Sequence, residues 1–158
     1  MEQGGWSDVL NECKKALHNI GIPVQAKDQT QVNNQFRFHL RKVPNDLVGQ
    51  CDIFHIAKHA MKFIAFNHEF DISNLPIDSA GVVNDLIFNL ESSCPDFTLH
   101  ESQLQNVLYF APNINSLRRI KKRKNGQIFK ENCPAPGSYE IALAAPDVNL
   151  YLALATLL

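Results

Sequence analysis

A chain of 158 residues, 45% hydrophobic and 20% charged, has the size and balance of one compact globular domain. At that length folding buries roughly 70% of the surface exposed by the unfolded chain, so neither disulfides nor metals are needed for stability. The formal net charge is −1, from 15 Lys and Arg against 16 Asp and Glu; extensive disorder is excluded, and so is a spanning helix, because no apolar run approaches the ~20 residues that one needs.

The first residues, Met1-Glu2-Gln3-Gly4-Gly5-Trp6, have neither the basic nor the apolar region of a secretory signal. Ser7 or Asp8 can cap a helix reaching Ile20, with Val9, Leu10, Cys13, Ala16, Leu17 and Ile20 at helical spacing and Gly21 as the C-terminal stop. Extended structure starts at Ile22-Pro23-Val24. From Gln35 to Val43 the residues alternate, with Phe36, Phe38 and Leu40 on one face and Arg37, His39 and Arg41 on the other, the pattern of a half-buried strand. Asn45 or Asp46 caps a long helix to about Phe66. Its apolar face holds Leu47, Ile53, Phe54, Ala57, Ala60, Met61, Ile64 and Ala65; Asp52, His55, Lys58, His59 and Lys62 fall on the opposite stripe.

A further helix is expected after Asp78 or Ser79, with Val82, Val83, Leu86, Ile87 and Leu90 at core spacing, broken by Ser92 to Asp96. Thr98 and Glu101 match a capping box for a helix from Leu99 to Tyr109. Strands are expected between Gln127 and Ala145, interrupted by a loop from Asn132 to Gly137, and Asp147 can cap a last apolar element from Val148 to Leu158. The expectation is an α+β fold spanning residues 1–158 as a single compact domain, helix-dominated with a small antiparallel sheet. A fragment of a longer chain is the alternative.

One stretch breaks the charge balance. Arg118-Arg119-Ile120-Lys121-Lys122-Arg123-Lys124 holds six cations in seven residues; without it nine Lys and Arg face 16 acids, a net of −7. Arg118, Arg119, Lys121, Lys122, Arg123 and Lys124 are therefore candidate contacts for nucleic acid or a nuclear import receptor. Arg37 and Arg41 are supporting candidates. The run reads as a helix ended by Gly126, with Leu117 and Ile120 inward. The competing reading is a hairpin turning at Asn125-Gly126, which sets Lys121 against Lys130. Phe36 and Phe38 have the type of a base-stacking pair, but their period-2 alternation with cations assigns them to the core.

Signals for chemistry are sparse. Cys51, His55 and His59 form a Cys-x-x-x-His-x-x-x-His array, with His55 and His59 the metal-ligand candidates; His68, Glu69, Asp71 and His100 are possible additional ligands. The array lacks the glutamate of His-Glu-x-x-His, so no metalloprotease base is placed. Pro95-Asp96 followed by Glu101-Ser102-Gln103 partly matches a nuclease pattern but lacks its lysine. Cys13, Cys51, Cys94 and Cys133 contain no Cys-x-x-Cys pair and read as reduced thiols in the cytosol or nucleus. No cofactor is implied and no enzyme class is favoured. The expected function is a non-enzymatic binding protein, nuclear or cytoplasmic. The alternative is a protein-interaction or oligomerisation module using the apolar segment Val148 to Leu158, and a metal-dependent hydrolase stands third.

Overall fold

The computed structural model describes residues 4–27, 37–72, 86–91, 98–100, 102–103, 129–131, 138–143 and 148–157. Helix outweighs strand among them and both sheets are antiparallel, so the fold is α+β and helix-dominated. Contacts divide the chain into two compact units, Met1–Ile72 and Ser73–Leu158.

In the first unit, α1 runs from Gly4 to Asn19. It starts a turn before the expected caps, so Ser7 and Asp8 are exposed helical residues. At such positions their lower helix propensity costs only tenths of a kcal/mol each, and the turn before them can form. The C-terminal stop is as expected. Gly21 takes φ +80°, its N–H donates to the His18 carbonyl at 3.0 Å, and the Ile22 N–H donates to the Leu17 carbonyl at 2.8 Å. This is a Schellman motif, closed by an apolar contact between Ile22 and Leu17 within one buried cluster.

The reversed chain forms β1 (Val24–Lys27), which pairs antiparallel with β2 (Arg37–Leu40) in a register from Val24 opposite Leu40 to Lys27 opposite Arg37. The Val43 N–H donates to Gln50 Oε1 at 2.9 Å, tying the exit of β2 to the next helix.

Helix α2 spans Leu47–Asn67 and Asp46 is its cap, its carboxylate accepting from the Gly49 N–H at 2.7 Å. Asn45 instead takes a left-handed φ of 56°, which asparagine tolerates better than most residues. A Cβ at Gly49 would meet the Asp46 carboxylate, so a larger residue there makes that flexible side chain shift. Two buried clusters join α2 to α1: Val9 and Cys13 with Ile64 and Ala65, and Leu17 and Ile22 with Ala57. Val24, Phe38 and Leu40 lay the hairpin against them. Each fully buried Leu or Ile here contributes about 1.5–3 kcal/mol. Burial also pushes the Cys13 thiol up to about 11, aided by the charge of Glu12, so Cys13 is inert packing rather than a nucleophile.

The second unit departs further from expectation. The segment read as helical at Leu86, Ile87 and Leu90 is strand β3 (Leu86–Glu91). Strand β4 is Phe129–Glu131 and β5 is Ser138–Leu143; β5 is central, in the order β3-β5-β4. A short apolar run fits either period, and the six-pair ladder of β3 with β5, from Leu86 opposite Leu143 to Glu91 opposite Ser138, decides it. Ile141, Tyr139, Ser138 and Leu90 are buried.

The N–H of His100 donates to Gln103 Oε1 at 2.8 Å, the reach-back half of a capping box. It lies two residues beyond the expected Thr98 start. Helix α3 is Leu150–Ala155 and is capped by Asn149, whose side chain accepts from the Leu152 N–H at 3.3 Å, in place of the expected Asp147. Val148, Leu150, Ala153, Leu154 and Leu157 are buried, and Gln103 Nε2 donates to the Leu157 carbonyl. The expected helix over residues 78–85 and the capping partner Glu101 lie outside the described residues.

Candidate binding surfaces

The sequence-predicted residues fall in different places. Arg118, Arg119, Lys121, Lys122, Arg123 and Lys124 lie outside the described residues. Arg37 stands at the start of β2, opposite Lys27 of β1. His39, Arg41 and Lys42 are exposed along and beyond that strand. Phe38 packs against the cluster of Val9, Cys13, Ile64 and Ala65, so it belongs to the core.

The Cys51–His55–His59 array is a staircase across the side of α2. Four residues advance about 400° on a helix, 40° past a full turn. Cys51 is therefore buried, His55 half-buried and His59 exposed. Burial, above all, holds the His55 imidazole below its ordinary value of 6.5; Lys58 and His59 lower it further and Asp52 partly opposes them. Burial likewise raises the Cys51 thiol, with help from Asp52. His68 is engaged elsewhere, with its Nε2 2.6 Å from Glu12 Oε2, bridging the end of α2 to α1. Among the described residues no three His, Cys, Asp or Glu side chains gather in a way that could hold a metal ion.

The surface that sequence reading overlooked is the outer side of α2. Val48 is 64% exposed, Ile56 46%, Phe63 66% and Phe66 77%. Seven residues bring a helix back within about 20° of the same bearing, so Phe66 lies almost in line with His59, and Phe63 is about 40° away. Both phenylalanines thus sit among residues assigned to the polar stripe. That placement was available in the sequence by extending the 100° step past Lys62.

A turn at the end of α2 gives this side its shape. Glu69 takes φ 62°, its N–H donates to the Phe66 carbonyl at 3.0 Å, and the Phe70 N–H donates to the Ala65 carbonyl at 2.9 Å. This is a second Schellman motif. It reverses the chain, so that Phe70 and Ile72 pack on the cluster containing Ala65. Between helix and returning chain lies a hollow of about 620 Å³, lined by His59, Lys62, Phe63, Phe66, Phe70, Asp71 and Ile72. Its character is aromatic and apolar, with one cation and one carboxylate.

No protein-family model matches the chain, and no curated protein matches it. Among the described residues no helix is long and apolar enough to cross a membrane.

Proposed function

We propose that this chain is a non-enzymatic binding protein whose basic segment, Arg118 to Lys124, contacts nucleic acid. The observation that carries the reading is the charge segregation: six of the 15 Lys and Arg lie within seven residues, on a remainder of net charge −7. Such a segment meets a polyanion locally and releases its counterions, while the acidic remainder opposes wrapping. The exposed Arg41, and Arg37 opposite Lys27, are weaker supporting contacts. Phe38 is committed to the core, which favours phosphate contact over base stacking there. A chain used in this way acts in the nucleus or cytoplasm.

The test is salt-titrated binding to generic DNA and RNA. If all six cations meet phosphates, affinity falls roughly 10³-fold between 50 and 200 mM salt. Replacing Lys121, Lys122, Arg123 and Lys124 by Gln flattens that slope to about a third. Absence of any salt-dependent binding overturns the reading. Binding of the same segment to an import receptor, without affinity for nucleic acid, assigns it to localisation.

A second reading, a protein-interaction or oligomerisation module, is favoured by a specific observation, though not at the segment first expected to carry it. Leu154 and Leu157 are buried, leaving Tyr151 and Leu152 as the exposed large apolar residues of α3. The exposed aromatic side of α2 is the better candidate, because contiguous apolar surface rimmed by polar groups marks contact sites.

A further inference from the structure

We propose that the outer side of α2 around Phe63 and Phe66, together with the adjoining hollow, is the contact through which two copies of this chain associate. The proposal rests on the protein-interaction reading and names its partner. Two features of the surface select a second copy.

The first is shape. Phe63 and Phe66 are 66% and 77% exposed beside a hollow walled on its far side by Phe70 and Ile72. Projection and recess therefore share one surface. A two-fold axis through it lays the rings of each copy over the recess of the other, as an isologous interface requires. Buried aromatic anchors seated in pockets dominate the energetics of such contacts.

The second is charge. Lys62 and Asp71 line the same hollow, the first from the helix and the second from the chain after the Glu69 turn. A two-fold axis through the apolar centre carries Lys62 of one copy towards Asp71 of the other, and the reverse. Each patch thus brings the counter-charge that its twin needs. An unrelated partner would have to supply both charges independently.

Sedimentation equilibrium on the full chain should show a concentration-dependent monomer–dimer equilibrium. Phe63→Ser with Phe66→Ser should weaken it at least ~30-fold, with circular dichroism unchanged and, at concentrations where the wild type is monomeric, the thermal midpoint unchanged too, since both rings are exposed. Lys62→Asp or Asp71→Lys alone should weaken it about tenfold. The double variant Lys62→Asp/Asp71→Lys should restore it, because the exchanged charges still meet across the axis. A wild type that stays monomeric, a dimer indifferent to the phenylalanine pair, or a double swap no better than the singles overturns the proposal.

A photo-cross-linking amino acid in place of Phe66 separates failure of this proposal from failure of the reading beneath it. Adducts of twice the chain mass support the second copy. Adducts of another mass remove self-association and leave the interaction reading standing, whereas adducts only within the chain remove both.

Discussion

Helices α1 and α2 end in the same way on different residues. Each stops in a Schellman motif, with the paired bonds Gly21 to His18 and Ile22 to Leu17 at one end, and Glu69 to Phe66 and Phe70 to Ala65 at the other. The left-handed residue is Gly21 in the first motif, at φ +80°, and Glu69 in the second, at φ 62°. Glycine adopts that conformation freely, whereas a glutamate bears a cost of about 1 kcal/mol. The first end is therefore locally encoded. The second is held by the packing of Phe70 and Ile72 on the core as the chain turns back.

Removing the apolar closure of the first end should have the largest effect. Leu17 is fully buried against Ile22 and Ala57, so Leu17→Ala should cost about 2–5 kcal/mol in urea unfolding. At the second end the corresponding residue is already Ala65, and Phe70 supplies the apolar mass from outside the helix. A loss below ~1 kcal/mol at Leu17 would mean that the first end is held by its glycine alone and would break the contrast.

Gly21→Ala comes next. A Cβ there meets nothing within 4 Å, so its cost is purely conformational. We expect a loss of about 1 kcal/mol, again by urea unfolding. Neutrality would show that the position relaxes to negative φ without disturbing the motif. The reverse substitution tests the other end: Glu69→Gly should stabilise by a few tenths to about 1 kcal/mol, reduced by the greater freedom that glycine gives the unfolded chain. A destabilisation there would mean that the glutamate side chain contributes more than its backbone costs.

The same contrast explains how much was legible in the sequence. Gly21, the Asp46 cap and the 3.6-residue periods of α1 and α2 act within a few residues, and each is readable from its neighbours. Glu69 carries no turn signature, so the hollow that depends on its conformation is not. Leu86 to Leu90 fits helix and strand alike, and only the ladder to Ser138–Leu143, some fifty residues away, decides between them. Among candidate site residues, the core role of Phe38 follows from simple alternation. The exposure of Phe63 and Phe66 is hidden by an incomplete helical wheel: their neighbours His59 and Lys62 mark a polar stripe, and the aromatic residues share its bearing only when the wheel is carried one turn further.

The smallest expected effect separates the body of α2 from its end. The half-buried His55 is held below 6.5, chiefly by burial and then by Lys58 and His59. Well above pH 6.5 it is neutral whether folded or unfolded and has no effect on pH dependence. As pH falls below that value the unfolded chain takes up a proton more readily than the folded one, so stability declines until the folded-state value is passed. His55→Gln should flatten this decline, measured as the urea midpoint from about pH 7.5 down to about pH 5. Glu69 lies just beyond Asn67, the end of α2, which is twelve residues further on, about 18 Å along the helix axis, a distance at which substitutions act additively. The stabilisation from Glu69→Gly should therefore be the same at both pH values, in the wild-type and the His55→Gln background alike. If it shrinks as His55 becomes charged, the second end depends on the state of the helix body as well as on the packing of Phe70 and Ile72.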